Sequence, residues 1–540
     1  MLKNPSMILS VYIVMMMIYC PLLIKNRVWG RMIIHHYHTT NCVASFIYPK
    51  KIRRTSSLSN CRRNDYQSKS ILAAVLPHGP FSSSSSSDHS SNNIPHDSVS
   101  YIPMALAALR KAARYAFHLQ PEYPSISAND PNHNDTIIAK KQIQNQNFTF
   151  TKVDTSPVTI ADFGVQALVL HSLKKSLELQ QEQQIHGNDT TSSVSASFTF
   201  IAEEGSDMLR QNPSLADDIL HLIHTIPGCC DGISRIQTLD DLFSSIDLGN
   251  LSYDSQTGHV VSSISSSSNK KERSFTWCLD PIDGTKGFLR GKKQGGQYCI
   301  ALALIEKDIP VLGFLVCPNL PVDANDRQFA WKEEEEDCTK HHDRKPSSRG
   351  CIFVAYKNGG CYQLPLFPPT TTATISNTYD SDASTEGAIR IHVTPNDGII
   401  YPLHQVRFSI AVERGFGDPL GQGLDMARYI HGTLHPSTGD ILYCDRLDSQ
   451  AKYGLLARGS SQVFFRLPKR ESVEWIWDHA PGKIIVEEAG GIQTDTYGNP
   501  ISYGYGARMD PQVEGVLASC GGVIHQGLLK AYQETKRNLN

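Results

Sequence analysis

Two aspartates, Asp280 and Asp283, lie three residues apart in the segment WCLDPIDGTKGFLRG (277–291). The residues before them alternate as in a strand, so we expect Asp280 at the carboxyl end of a strand, with Pro281 fixing the turn that follows. The carbonyl group of Ile282 lies between the two carboxylates. Because Mg²⁺ prefers hard oxygen ligands and keeps several waters, two carboxylates and one carbonyl on a tight turn suit it.

The residues that follow Asp283 predict an anion site. Gly284 allows close approach of the backbone, and Thr285 and Lys286 would open a helix. The first amide groups of a helix and the positive end of its dipole attract a phosphate. An Asp-Gly pair is nevertheless more often an ordinary turn, so a site needs carboxylates from elsewhere in the chain.

Three other segments offer carboxylates. An apolar run (198–201) precedes Glu203 of a Glu-Glu pair, Asp478 lies between aromatic residues and an apolar helix, and KVDTSPVTIAD (152–162) contains Asp154. Each has an ordinary interpretation by itself: a solvated loop for the glutamates, a helix N-cap for Asp478 and a turn for the third segment. Their occurrence together, in this order, is not ordinary.

The four segments resemble the lithium-sensitive, Mg²⁺-dependent phosphomonoesterases of the inositol monophosphatase superfamily, and in particular its 3′(2′),5′-bisphosphate nucleotidase branch. The resemblance is carried by DTSPVT (154–159), the Glu-Glu pair at Glu203, DPIDGTKGF (280–288), LDSQAKYGLLARG (447–459) and WDHAPGKIIVEEAGG (477–491). It extends with interruptions from residue 101 to residue 531. The metal motifs are specific to the superfamily, whereas SPVT and the DSQ-x-K pattern point to the nucleotidase branch.

The resemblance implies a role for each matched position. Two or three Mg²⁺ ions would be held by Glu203, Asp280, the carbonyl of Ile282, Asp283 and Asp478. The backbone amides of Gly284 and Thr285 would hold the scissile phosphate, and Thr285, paired with Asp154, would orient and deprotonate the attacking water. The adenosine phosphate would be bound by Ser449, Lys452 and Arg466.

One position departs from the family pattern. After VERG (412–415) the family usually places a histidine near the base, and this chain has Phe416. An aromatic ring is able to stack on a base, so stacking could survive this change, whereas base selectivity is left open.

The implied activity is in-line hydrolysis of 3′-phosphoadenosine 5′-phosphate to AMP and phosphate, or of its 5′-phosphosulfate to adenosine 5′-phosphosulfate, in connection with sulfate assimilation. One alternative is an inositol phosphate substrate, as in inositol polyphosphate 1-phosphatase or inositol monophosphatase. Lys452 and Arg466 favour the nucleotide, because its second phosphate needs cations where an inositol needs hydroxyl partners. A catalytically silent nucleotide-binding relative is the other alternative, and it would lack a metal ligand. Every side-chain ligand position carries its carboxylate.

Composition and pattern set the broad class. Lys and Arg number 51 against 53 Asp and Glu, a formal net charge of −2, which favours a small-molecule partner over nucleic acid. Strand-like and helical runs alternate, with helices expected at 104–119 and 161–179, a strand at 406–413 and a surface insertion at 180–195. This mixture predicts a layered α/β fold. The resemblance implies an αβαβα sandwich with an N-terminal metal-binding subdomain (99–318) and a C-terminal substrate-binding subdomain (319–540).

Residues 1–98 read as a targeting presequence that ends in a serine-rich linker. An apolar segment (7–24) is typical of a signal peptide or anchor, and the basic stretch up to residue 69 is typical of a transit peptide. Phe46 follows a small residue, as at the junction of bipartite plastid presequences. We therefore expect a plastid enzyme without stable membrane association after processing. The alternatives are a mitochondrion, or an anchored enzyme of the secretory lumen or Golgi, where four sequons would be exposed to glycosylation: Asn134, Asn147, Asn188 and Asn250.

Overall fold

The computed structural model of the chain describes residues 97–122, 149–151, 157–186, 196–230, 235–250, 273–330, 349–367, 382–394, 402–413, 415, 418–468 and 473–536. These residues all belong to the unit Ile71–Asn540. Several predicted features lie outside the described ranges: the presequence with Phe46, the serine-rich linker, Asp154, Phe416 and the sequons at Asn134, Asn147 and Asn188.

Helices and strands alternate along the described chain. The helices are α1 (Ile102–Leu119), α2 (Ile160–His186), α3 (Asp207–Gln211), α4 (Pro213–Thr225), α5 (Leu239–Asp247), α6 (Thr285–Arg290), α7 (Gln422–His431), α8 (Ala451–Ala457), α9 (Ala480–Glu488) and α10 (Gly522–Thr535). The strands are β1 (Thr149–Thr151), β2 (Pro157–Thr159), β3 (Ala196–Ala202), β4 (Arg273–Asp283), β5 (Cys299–Glu306), β6 (Ile309–Pro321), β7 (Arg349–Tyr356), β8 (Gly360–Pro365), β9 (Ile389–Ile391), β10 (Phe408–Ile410), β11 (Cys444–Arg446), β12 (Val463–Arg466), β13 (Ile492–Asp495) and β14 (Val516–Ser519). A short 3-10 helix, Ile476–Asp478, precedes α9.

The larger sheet has seven strands in the order β3-β4-β5-β6-β7-β8-β9. β3 and β4 are parallel, and each later pair of neighbours is antiparallel. Nearly every residue of β5 and β6 is buried, so these strands are nearly continuous apolar runs rather than alternating ones. The register of β4 against β5 shifts between Asp280 and Asp283. This bulge ends the regular pairing of β4 at the two aspartates of the predicted metal turn.

Helices α1 and α2 cover one face of this sheet, where α1 contacts β6 and α2 contacts β4. The two helices approach closely at Gly164 of α2, where an added Cβ would lie 2.2 Å from Cε1 of Tyr115. The Tyr115 ring is fully buried, and its hydroxyl donates to the carbonyl of Ile160 at 3.3 Å. The missing side chain at Gly164 therefore makes room for this ring.

Helices α8 and α9 lie between the two sheets. α9 contacts β6 and β7 on one side and β13 on the other, and α8 contacts β6, β10 and β12. The second sheet has the order β11-β10-β12-β14-β13, and α7 packs against α10, which contacts β14. Helix, sheet, helix, sheet and helix thus follow one another, which confirms the predicted layered α/β fold. The subdomain boundary at residue 318 stays a prediction.

Two element boundaries differ from the sequence expectation. α2 continues to His186, so it enters the segment predicted as an insertion from residue 180. The strand predicted at 406–413 is limited to Phe408–Ile410. In the described part of the chain, no helix combines the length and the apolar character needed to cross a membrane; the apolar segment 7–24 lies outside it.

Candidate active site

Three carboxylates converge where β4 ends. Asp280 and Asp283 come from the bulged end of β4, and Asp478 comes from the 3-10 helix Ile476–Asp478 that leads into α9. One carboxylate oxygen from each of the three lies within 4.8 Å of the others. Side chains that are far apart in sequence therefore form one acidic cluster, because the large sheet and the central helical layer meet there.

The cluster is electrostatically costly without a cation. Burial raises the pKa of Asp280 well above its usual range, and Glu203, Asp283 and Asp478 add to that rise. Burial also raises the pKa of Asp478 well above its usual range, as do the charges of its acidic neighbours. The pKa of Asp283 is raised by burial, while the charge of Lys452 opposes the shift. Like charges in a buried site favour either protonation or a bound cation.

The donor set fits a divalent cation. Oδ1 of Asp280 is buried and has no hydrogen-bond partner among the described residues. A buried carboxylate oxygen without a partner is costly, and a metal ion would satisfy it. Oxygen donors from several carboxylates are the ligands that Mg²⁺ prefers.

The turn after Asp283 is shaped by Gly284. Its φ is +85°, and an added Cβ would lie 2.9 Å from Cβ of Ser449 and 3.1 Å from the Ser449 amide nitrogen. Any side chain at Gly284 would therefore be strained and would push Ser449 away. Thr285 begins α6, and its hydroxyl donates to the carbonyl of Ile282 at 3.2 Å.

The segment 448–452 brings polar groups to the same turn. Ser449 has a φ of +69°, an uncommon conformation for a residue other than glycine. The amide of Gln450 donates to Oδ2 of Asp283, and Lys452 lies buried on α8 with Nζ 3.3 Å from the carbonyl of Leu447. Burial lowers the pKa of Lys452, whereas the negative charge of Asp283 opposes that change.

Arg466, at the end of β12, supplies a second cation. Its Nε donates to Oε2 of Glu474 at 3.1 Å. Burial opposes the charge of Arg466, but Glu474 and Asp478 raise its pKa above the ordinary value. Burial likewise opposes ionisation of Glu474, but Arg466 and His479 lower the pKa of this carboxyl to about 2. The pair is therefore fully charged at neutral pH.

These side chains line one cleft of about 440 Å³, which we call the carboxylate cleft. All the predicted site residues that the structure describes line it, namely Glu203, Asp280, Ile282, Asp283, Gly284, Thr285, Ser449, Lys452, Arg466 and Asp478. Asp154 is the one predicted site residue outside the described ranges. The structure thus brings the predicted residues together, and their individual roles stay predictions.

Several residues of the cleft wall had been given no role on the basis of the sequence. Trp475 stacks on Trp477 with ring centroids 4.6 Å apart, and the guanidinium of Arg508 lies 3.2 Å from the Trp475 ring centroid. Glu474 and His479 also line the cleft. Two tryptophans at alternate positions beside Asp478 were a usable signal of a structured aromatic wall. No sequence pattern pointed to Arg508, because only the folded chain brings it to Trp475.

Comparison with known proteins identifies the class. The sequence model of the inositol monophosphatase family matches residues 247–375 and 434–537. The 3′(2′),5′-bisphosphate nucleotidase of Schizosaccharomyces pombe is 31% identical over 380 residues, which are 70% of this chain and 84% of that protein. The chain belongs to the inositol monophosphatase family, and it is a phosphatase of that family.

Two further similar proteins are also named bisphosphate nucleotidases. The 3′(2′),5′-bisphosphate nucleotidase of Dictyostelium discoideum is 32% identical over 69% of this chain and 84% of that protein. The 3′,5′-bisphosphate nucleotidase 2 of Arabidopsis thaliana is 30% identical over 74% of this chain and 88% of that protein. A crystal structure of the extragenic suppressor protein suhB from Bartonella henselae aligns over 81% of this chain and 98% of that chain, with 13% identity and a TM-score of 0.39.

Proposed function

We propose that the enzyme hydrolyses the 3′-phosphate of 3′-phosphoadenosine 5′-phosphate, giving AMP and phosphate, and that it also accepts the corresponding 5′-phosphosulfate. The observation that carries the proposal is the presence of Lys452 and Arg466 in the same cleft as the carboxylate cluster. A bisphosphate substrate fits this cleft. Its reacting phosphate would lie at the metal-binding carboxylates, and its second anionic group would lie at the two cations. The names of the similar nucleotidases support the same substrate class.

The proposed cofactor is Mg²⁺, as two or three ions. The residues that would hold it are Glu203, Asp280, the carbonyl of Ile282, Asp283 and Asp478. When bound, Mg²⁺ lowers the pKa of water and neutralises charge on the transferring phosphoryl group.

The chain itself would orient the reacting groups. The turn at Gly284 packs closely on Ser449, and the backbone amides of Gly284 and Thr285 would hold the scissile phosphate. Thr285 would pass the proton of the attacking water toward Asp154. On the other side, Lys452 and Arg466 would fix the 5′-phosphate, so that only the 3′-phosphate reaches the carboxylates.

One assay tests the substrate. Phosphate release from 3′-phosphoadenosine 5′-phosphate, inositol 1,4-bisphosphate and inositol 1-phosphate should be compared with Mg²⁺ present, on protein that begins near residue 99. We expect the highest kcat/KM for the adenosine bisphosphate. A higher value for either inositol phosphate would establish the inositol alternative, and no turnover of any of them would favour the silent relative.

The cellular role and location are also proposals. We propose a plastid enzyme that removes the phosphonucleotide left by sulfate transfer. The predicted transit-peptide composition supports this. Mass spectrometry of the mature protein should find an amino terminus at or beyond Phe46 and unglycosylated asparagines at all four sequons. An intact segment 7–24 together with glycans on the sequons would instead indicate an enzyme of the secretory lumen.

A further inference from the structure

Glu474 lies in the wall of the carboxylate cleft between Arg466 and His479. Its Oε2 accepts a hydrogen bond from Nε of Arg466 at 3.1 Å and lies 3.5 Å from Nε2 of His479. The side chain of Glu474 is only 9% exposed and that of His479 only 2%. The bond to Arg466 is the direct one, whereas the longer separation from His479 makes that contact mainly electrostatic.

His479 is in turn held by a buried chain of hydrogen bonds. The hydroxyl of Tyr503 donates to Oε1 of Gln493 at 2.7 Å, and Nε2 of Gln493 donates to the hydroxyl of Tyr453 at 3.0 Å. The hydroxyl proton of Tyr453 is therefore directed at Nδ1 of His479, 2.8 Å away. With Nδ1 as acceptor, the ring proton lies on Nε2 and faces Glu474. We call Tyr503, Gln493, Tyr453, His479 and Glu474 the Glu474 network.

The network is anchored in rigid parts of the fold. Tyr453 belongs to α8 in the central layer and Gln493 to β13, and both are buried, as is Tyr503. Side chains locked by packing and hydrogen bonds can hold a functional group in one geometry. The hydrogen bonds thus fix the ring of His479, whose Nε2 lies 3.5 Å from Oε2 of Glu474, while Glu474 is joined to Nε of Arg466 by its own hydrogen bond.

We infer that Glu474 is a positioning residue that holds the guanidinium of Arg466 where it meets the second phosphate of a bisphosphate substrate. The inference rests on the proposed function, because only a substrate with a second anionic group would use Arg466 in this way. Without the charge of Glu474, the guanidinium would lose a charge-assisted hydrogen bond that fixes its Nε, and it would be free to leave the orientation that meets the substrate.

The charge of Glu474 has a second effect of opposite sign. A carboxylate near the phosphate subsite repels the phosphate, so its removal could strengthen binding through charge alone. Orientation should dominate, because the bond from Nε of Arg466 to Oε2 of Glu474 is direct and charge-assisted. The two effects change KM in opposite directions, so one measurement decides between them.

The test is Glu474→Gln, which keeps the shape and an acceptor oxygen but removes the charge. The KM for 3′-phosphoadenosine 5′-phosphate and the dissociation constant of AMP, from titration calorimetry, should each rise about tenfold or more. The kcat should stay within about threefold, and the KM for inositol 1-phosphate within about twofold, since that substrate has no second phosphate. An unchanged or lower KM for the bisphosphate, or an equal rise for both substrates, would overturn the inference.

Two further variants keep the test decisive. Glu306→Gln changes a similar partly buried pair, in which Nε of Arg273 lies 2.6 Å from Glu306, outside the cleft; it should change neither constant. Tyr453→Phe removes the hydroxyl that joins His479 to the rest of the network and should weaken AMP binding in the same direction, by less. If Glu474→Gln fails to fold, as judged by circular dichroism, unchanged AMP affinity in Tyr453→Phe overturns the inference. A wild-type preference for inositol phosphates would instead overturn the proposed function.

Discussion

At the residue scale, Asp283 has partners on both sides of the cleft. Its Oδ2 accepts hydrogen bonds from the amide of Gln450 and, at 3.7 Å, from the thiol of Cys299, while Lys452 provides an opposite charge. Donors on one oxygen orient the carboxylate and leave the other oxygen for a cation. Asp283 therefore links the metal-binding side of the cleft to its cationic side.

Asp283→Asn should nearly abolish turnover while the fold is kept. The amide preserves shape but removes a charge needed to hold Mg²⁺, so kcat/KM should fall by at least about a hundredfold. The far-ultraviolet circular dichroism spectrum should match that of the wild type. Asp218→Asn, at an exposed position of α4, is the control and should keep full activity. Activity of the Asp283 variant within a few-fold of wild type would contradict its role as a ligand.

Lys452→Met tests the cationic side at the same scale. Methionine keeps most of the buried volume but cannot bind a phosphate, so the KM for 3′-phosphoadenosine 5′-phosphate should rise about tenfold or more. Inositol 1-phosphate should be affected far less. Lys483→Met is a matched control, because Lys483 is also buried but pairs with Glu487 on α9 outside the cleft. Equal losses on both substrates would favour the inositol alternative.

At the element scale, local sequence predicted the metal turn and missed what depends on distant partners. The alternation of β4 and the Asp-Gly step that follows placed Asp280, Asp283 and Gly284 on one turn, because all the information lies within a few residues. The strand around Phe408–Ile410 was predicted too long, since its neighbour β11 offers only three residues for pairing. A hydrophobic pattern cannot show where a neighbouring strand ends.

Helix α2 shows the opposite error. Residues 180–186, QQEQQIH, are mostly polar and were predicted to lie in an insertion. Glu and Gln are nevertheless strong helix formers, so the helix continues through them. The contacts of Trp475 with Arg508 and of Tyr453 with Gln493 could not be predicted, because they join segments more than thirty residues apart.

Gly164→Ala tests the close approach of α1 and α2. The added Cβ would lie 2.2 Å from the Tyr115 ring, so a tightly packed core would have to shift. The free energy of unfolding from denaturant titration should fall by about 1–3 kcal/mol. Lys174→Ala, at an exposed position of the same helix, should change it little. In the double variant Gly164→Ala with Tyr115→Leu the losses should be less than additive; strict additivity would show that the ring is not the obstacle.

At the scale of the whole molecule, folding itself assembles the acidic cluster. β4 of the large sheet and the turn before α9 bring three carboxylates together, and the layers that do so are the core of the protein. The raised pKa values of Asp280, Asp283 and Asp478 mean that the folded protein binds protons at these carboxyls more tightly than the unfolded chain does. The stability of the metal-free protein should therefore fall as the pH rises above the unfolded carboxyl pKa of about 4.

Mg²⁺ should reverse this loss, since the cation and the protons compete for the same oxygens. Thermal unfolding should be followed with either Mg²⁺ or a chelator, at about pH 5.5 and about pH 8. We expect Mg²⁺ to raise Tm at both pH values, and by several degrees more at the higher one, because fewer protons then occupy the carboxyls. Taking the difference between the Mg²⁺ and chelator samples at each pH removes the contribution of titrating groups outside the cluster. Asp283→Asn should reduce both the rise in Tm caused by Mg²⁺ and the pH dependence of that rise. A rise in wild-type Tm that is equal at the two pH values, or larger at the lower one, would show that the three carboxylates do not share a cation.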